Sequence, residues 1–433
     1  MTDKEVTMQG HTRVNAKHLC LWIALAGMVA GCSSNAGQGG SGAVQGGVEL
    51  ITEREAAVPD RVRAIRGAWE SVQRGEAQYE GVRESLKDLI FRLGEPDPVR
   101  VEALLMLVED RDRLGNTQRV LERTLPLESS YQNWLMIDTV GEVAAIEGWT
   151  NLAPAMVTSW SRTVSAIEDK DRSEKKAIEK MFPGRDAIEV VFDVFAGWFD
   201  EQVVEEGQRE AAWSLLRRLD REGNRIRTMM SELPAGEVDR DELMRLLVEA
   251  SAEWGTLPRS VEQLRWLRDL QSDEHAVFWR ESQGVVQNLD PAQKEGLELR
   301  HLAALRWASK YRPDLLTANR ARLEESIERR LNGKRKVFRT RGVTGRERAE
   351  SLKDWRRELV WADLVHIVVA IELADDQSYT TALFAQAERD RKDTSTELGG
   401  VIEFLESENR FVWLLYPPRP AHRLGDDRFV DSV

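Results

Sequence analysis

From about residue 49 to residue 392, apolar side chains recur at helical spacing, and glycine and proline rarely interrupt them. A chain patterned this way folds as a succession of helices joined by short turns, so the expected class is all-α. Leu, Ala, Glu and Arg are abundant, which favours helix at the exposed positions as well. Helices are predicted over about 52–74 and 76–93, with a break at Gly94-Glu95-Pro96. The next segment carries the clearest start signal. Asp97 suits the N-cap, Pro98 suits the first helical position, and Val101, Leu104, Leu105 and Val108 form one apolar stripe. A break at Gly115 follows, then helices over about 116–125, 129–147 and 150–167.

The run Asp97, Pro98, Val99, Arg100, Ala103 and Leu107 resembles the signature of HEAT and related armadillo-like repeats, without the usual spacer after the proline. The resemblance covers about residues 52–167. It implies helical hairpins stacked as an α-solenoid. Read from periodicity alone, an irregular helical bundle fits equally.

Beyond it, the charged run Glu168 to Lys176 reads as a solvated turn and helix start. Asp186 with Glu189 forms a variant capping box opening the segment Ile188–Phe199, which is apolar nearly all round and so is expected to be buried. Further helices are predicted over 207–222 and 237–254, the latter with Leu243, Leu246, Leu247, Ala250 and Trp254 on one face. Ser260 and Gln263 cap a helix ending near Leu270. Asp290-Pro291 opens one to about Lys310, and another spans 314–331. A last helix, about 355–373, is expected to be central and buried. Glu358, Asp363, His366 and Glu372 interrupt it too often for a membrane span.

The N-terminus determines location. Leu19 to Ala30 is a twelve-residue apolar run flanked by Arg13 and Lys17. It ends in Val29-Ala30-Gly31-Cys32. This resembles a bacterial lipoprotein signal peptide with its lipobox; Met8 is an alternative start to Met1. The resemblance implies cleavage between Gly31 and Cys32, lipidation of Cys32, and attachment in the cell envelope, on the outer membrane facing the periplasm. Residues 1–31 are then the signal peptide. Residues 32–48 are a Gly/Ser-rich tether, whose fifteen residues from Ser33 spread over roughly 20 Å. The organisation read onward is a HEAT-like domain over 49–270, a second helical region over 271–392, and a short β-leaning tail over 393–433.

The formal charge is −13. It becomes −14 once the one net positive charge of residues 1–31 is set aside (Lys4, Arg13 and Lys17 against Asp3 and Glu5). That argues against nucleic acid as a partner. With Cys20 in the leader, Cys32 is the one remaining cysteine, so neither a disulfide framework nor a cysteine metal site is expected. Beyond the leader, the histidines His275, His301, His366 and His422 form no metalloprotease spacing. Asp363 and His366 share a helix face, as a local polar contact or a ligand pair. No Gly-x-Ser-x-Gly, P-loop or dinucleotide fingerprint occurs, and no cofactor or metal is expected. Most tryptophans (Trp213, Trp254, Trp266, Trp307, Trp361) sit in apolar stripes, which favours core packing over a sugar site.

One surface stretch is strongly basic: Arg329, Arg330, Lys334, Arg335, Lys336, Arg339, Arg341, Arg346 and Arg348 against Glu347 alone. It serves either an anionic partner or the chain's own acids. After Lys392 the helical period is lost. Gly399-Gly400-Val401 with Phe411–Tyr416 faintly resembles the opening strands of a JAB/MPN-type metalloprotease, although no His-x-His follows up to Val433. Two readings therefore stand: a lipid-anchored scaffold for an envelope protein partner, without chemistry, or a metalloprotease-related protein or enzyme subunit completed in trans. A tail tucked against the helices favours the first, and an orphan hairpin with an exposed apolar edge favours the second.

Overall fold

The computed structural model describes residues 51–416, apart from 52, 165–166, 200–201, 332–336, 342–346, 352–354, 393–398, 406 and 409. The signal peptide, Cys32, the tether, Lys334, Arg335, Lys336 and the end of the tail thus lie outside the described residues. The fold is an all-α helical array with a two-stranded hairpin near its C-terminus. Among the described residues, no helix is long and apolar enough to cross a membrane.

The chain forms two compact units. The first includes residues up to Leu89 together with Pro98–Asp110, and the second includes Ile90–Asp97 and everything from Arg111. The first is built from α1 (Val58–Gln73), α2 (Tyr79–Phe91) and α3 (Asp97–Glu109). Its core holds Ile65, Trp69, Val82, Leu86, Leu104 and Leu107. The stripe expected on α3 is rotated: Leu104 is buried, but Val101, Leu105 and Val108 are only half-buried, and Val99, Arg100, Ala103 and Leu107 face inward. The polar residues fix this rotation. Arg66 Nη2 donates to Glu102 Oε2 (2.8 Å), Trp69 Nε1 to Glu109 Oε2 (3.0 Å), and Arg83 Nε to Asp110 Oδ2 (2.9 Å). Since α3 is apolar nearly all round, its carboxylates decide which side turns in.

The second unit begins with α4 (Leu114–Glu128), α5 (Trp134–Glu147), α6 (Ala153–Ser161), α7 (Ser173–Met181) and α8 (Ala187–Ala196). Asp186 caps α8 by accepting from Ile188 N (3.1 Å), and Gly197 ends it at φ 81°. All of α8 except Glu189 and Asp193 is buried, as expected, and each large apolar side chain there contributes about 1.5–3 kcal/mol relative to exposure. The helix expected over 150–167 ends at Ser161. The following charged run is a largely solvated turn and helix start, as expected, except that Arg172 and Glu174 are fully buried, because they satisfy each other through two hydrogen bonds of 2.9 and 2.7 Å.

A two-stranded ribbon, β1 (Trp198–Phe199) and β2 (Gln202–Val203), leads to α9 (Glu206–Leu219), α10 (Asn224–Glu232), α11 (Ala235–Val238) and α12 (Glu242–Trp254). The single helix expected over 237–254 is thus divided: Asp241 accepts from Met244 N (2.8 Å) and starts α12 afresh. Then come α13 (Val261–Asp269), capped by Ser260 as expected, and α14 (Ala276–Gln287), α15 (Pro291–Lys294), α16 (Leu302–Tyr311), α17 (Pro313–Leu316) and α18 (Arg320–Arg330). Much of the basic stretch lies on an antiparallel hairpin, β3 (Val337–Arg341) and β4 (Glu347–Ser351). The chain continues as α19 (Trp361–Asp375) and α20 (Gln377–Lys392), and ends its described part as β5 (Gly399–Leu405) and β6 (Arg410–Tyr416). α19 starts six residues later than expected, and only its first half is buried.

Helices of this unit pack mainly on partners close by in sequence: α4 on α6, α5 on α7, α8 on α9, α12 on α14, α14 on α16, and α18 on α19. The tail hairpin tucks against them. Phe404 and Phe411 pair across the strands (4.9 Å between ring centroids) and meet Tyr311 and Trp307 of α16 at 4.4 and 5.5 Å. Phe411 N donates to Asp376 Oδ2 (3.1 Å), at the start of α20. Gly400 is required because the Trp413 ring and the Leu414 carbonyl occupy the space a Cβ would take.

The α5–α7 contact is equally close. A Cβ on Gly141 would overlap the Ala177 Cβ. Gly141→Ala is therefore expected to lower stability by about 1–3 kcal/mol, and Ala177→Gly in the same chain to recover part of the loss. Thermal unfolding of the two variants checks this; an unchanged melting temperature for Gly141→Ala contradicts the close packing.

Candidate functional site

A group of titratable side chains lies where the turn before α16 meets the start of α19. The sequence builds the turn locally. Gly296 adopts φ 69°, a left-handed conformation open to glycine, and Val360 Cγ1 fills the place of its missing Cβ. This breaks the helix expected from Asp290 to Lys310. A 3₁₀ turn, Leu299–His301, follows and is closed by Glu298 and His301 acting as a capping box.

His301 is fully buried. Its Nδ1 accepts from Glu298 N (3.0 Å), so its Nε2 carries the proton that faces Asp363 Oδ1 (2.9 Å). Asp363 accepts two more bonds, from Arg300 Nη2 (2.8 Å) and from Val360 N (2.9 Å), the latter capping α19. Arg300 Nε also holds Glu298 Oε2 (2.9 Å), and Arg259 Nη1 lies 3.2 Å from Glu298 Oε1. His366, one turn along α19 from Asp363, stands edge-on to His301 with 6.3 Å between ring centroids. The local Asp363–His366 contact read from spacing is thus replaced by a contact from Asp363 to His301, 62 residues away in sequence.

Burial pushes the Asp363 carboxyl upward, but the bonds from His301 and Val360 N and the Arg300 charge prevail and hold it at about 2. Burial, aided by the Arg300 charge, lowers His366 below its ordinary 6.5.

The arrangement ties the turn before α16 to the start of α19. A general base or metal ligand needs a free ring nitrogen, and both nitrogens of His301 are engaged inside the protein. Among the described residues, no hydroxyl or thiol bonds to either imidazole, and no three His, Cys, Asp or Glu side chains converge to hold a metal. The signal for this tie was present as Glu298-Leu-Arg-His301, a capping-box spacing, but its partner is remote in sequence.

The basic stretch is divided. Arg330 Nη2 binds Glu372 Oε1 (2.7 Å) and is half-buried, and Arg329 binds Glu325 on the exposed face of α18 (3.0 Å). Arg339 and Arg341 lie on β3, where Arg341 pairs in register with Glu347. Trp213, Trp254 and Trp361 are buried, while Trp266 and Trp307 are half-buried. His275 closes the 3₁₀ turn before α14, and His422 lies outside the described residues. Comparison with family models, curated proteins and solved structures finds no match to this chain.

The two shifts act in the same direction. The unfolded chain takes up protons below about pH 6.5 at His366, and below about pH 4 at Asp363, more readily than the folded chain does. Stability is therefore expected to fall as pH drops below about 6.5 through His366, and further toward pH 2 through Asp363. Melting temperatures of the parent and His366→Gln across the upper range check the first step, and a variant as steep as the parent would contradict it.

Proposed function

We propose that this protein is a lipid-anchored helical scaffold of the bacterial cell envelope, held on the outer membrane and facing the periplasm, where it binds a protein partner without chemistry of its own. The observation that carries the reading is Val29-Ala30-Gly31-Cys32 directly after the apolar run Leu19–Ala30 and its basic flank. A lipidated Cys32 at the end of a flexible tether attaches the folded part to a membrane without fixing its orientation.

Three features of the fold support the scaffold. Its helices pack mostly on the next helix or the next but one, with α6 also packing on α9, and a helical array of this kind offers long surfaces for partners. The ionisable group at His301 and Asp363 ties the turn before α16 to α19 and leaves no ring nitrogen of His301 for a substrate. The tail hairpin packs Phe404 and Phe411 against α16 and bonds the start of α20, as the scaffold reading expects, while Ile402 and Leu414 on the same hairpin stay 42% and 38% exposed.

The test is the intact mass of the protein extracted from membranes, with Cys32→Ala alongside. The expected result is a chain beginning at a lipid-modified Cys32, with the modification abolished by the substitution. An unmodified chain retaining Met1 or Met8 contradicts the reading.

A further inference from the structure

The turn joining α4 to α5 brings exposed apolar side chains together with arginines that lack an acid. Leu127 at the end of α4, Tyr131 in the 3₁₀ turn and Leu135 in the first turn of α5 are 38%, 54% and 45% exposed. The turn beneath them is pinned. Glu128 and Asn133 are buried, with Asn133 Nδ2 donating to Glu128 Oε2 (2.7 Å) and to Leu93 O (3.1 Å). Leu135 N donates to Asp97 Oδ2 (3.1 Å), and Ser129 Oγ to Ser159 O (3.1 Å). Gln132 sits at φ 59°, the one non-glycine with a left-handed backbone among the described residues. Such strain persists only where the surroundings over-determine it, and a turn already fixed loses little freedom on binding.

Two arginines without an acid partner among the described residues lie beside this turn. Arg162 reaches across to it, donating from Nε to Pro126 O (2.7 Å) and from Nη1 to Ser130 Oγ (3.3 Å), both neutral. Arg123, one helical turn before Leu127, is exposed and has no acid partner among the described residues. Some exposed arginines elsewhere find carboxylates, as Arg225 finds Asp186 and Arg265 finds Glu210, while others, such as Arg119, bond a neutral group instead. The local acids are otherwise occupied or peripheral: Glu128 is buried, Glu122 accepts from Asn151 Nδ2 (2.8 Å), and half-exposed Asp138 lies one turn beyond Leu135.

Two leucines, a tyrosine and unneutralised arginines match the chemistry of a bilayer interface bearing anionic headgroups. Three apolar side chains are too few for a stable protein interface, which buries about 1,200 Å² or more, but they suffice for a second contact by a protein already held at a membrane. We propose that the α4–α5 turn is such a contact, seating Leu127, Tyr131 and Leu135 among anionic headgroups that Arg123 and Arg162 attract. This contact goes beyond the Cys32 anchor and would set the orientation that a flexible tether leaves free.

The test uses the full chain with Cys20→Ser and Cys32→Ser, so that lipidation plays no part. A fluorophore is placed at Tyr131→Cys or, as a control, at exposed Thr228→Cys on α10. The probe is a vesicle of phosphatidylcholine with phosphatidylglycerol and a doxyl-labelled quencher lipid. Quenching is expected at 131 but not at 228, and is expected to vanish on pure phosphatidylcholine. Arg123→Gln should weaken occupancy about fivefold, and Leu127→Ser with Leu135→Ser about tenfold or more. A label at 131 that stays in water on both vesicles overturns the proposal and leaves this face to a protein partner. Equal quenching at both sites, or quenching untouched by the substitutions, overturns it as well. Lipidation at Cys32 is read separately by mass, so failure of the anchor and failure of this contact are distinguishable.

Discussion

A buried guanidinium holds the first helices of the second unit in place. Arg172 immediately precedes α7 and is 1% exposed. It grips both oxygens of Glu174, donates to the carbonyls of Arg162 (2.8 Å) and Ser159 (3.2 Å), and lies 5.7 Å from the centroid of the Trp134 ring of α5. Arg218 of α9 completes the arrangement, donating to Trp160 O and Ser161 O (2.8 and 2.6 Å) and binding Asp169 (2.9 Å). The last carbonyls of α6, which no helix can satisfy internally, are thus capped by two arginines from other segments. Removing two charges from water costs several kcal/mol each, and only a fully bonded geometry offsets that cost. The exact pairing of residues 159 to 174 is therefore a condition for α5, α6, α7 and α9 to meet.

The same economy recurs at His301 and Asp363. There, too, remote segments are joined by a buried pair whose hydrogen-bonding positions are filled from within. Groups that could serve chemistry in another protein are spent on architecture in this one.

The helical class was legible because periodicity is a local property. Asp186 before α8 and Ser260 before α13 announced their helices through capping chemistry within three residues. The all-apolar character of α8 announced its burial. Non-local features were hidden. Arg172 and Glu174 stand in a run so charged that it reads as solvated, and their burial depends on carbonyls offered by α6. The inward face of α3 departs from the expected stripe because its apolar residues surround the helix, leaving Glu102 and Glu109 to choose the side. Gly296 did not signal a break until Val360, distant in sequence, occupied the space beside it. At the candidate site, spacing singled out Asp363 and His366, yet the decisive partner, His301, reaches Asp363 only through the fold. The apolar turn at Leu127, Tyr131 and Leu135 gave no sequence signal, since its residues belong to two helices and the turn between them.

The central claim is that buried charge is committed to holding the helices together. Equilibrium unfolding of Glu174→Ala against the parent, with Arg172→Met/Glu174→Leu as the comparison, tests it most directly. The account predicts that Glu174→Ala, which strands a buried guanidinium, loses about 3–5 kcal/mol, and that the double replacement recovers most of the loss. A Glu174→Ala protein within about 0.5 kcal/mol of the parent, the value of an exposed pair, would contradict it.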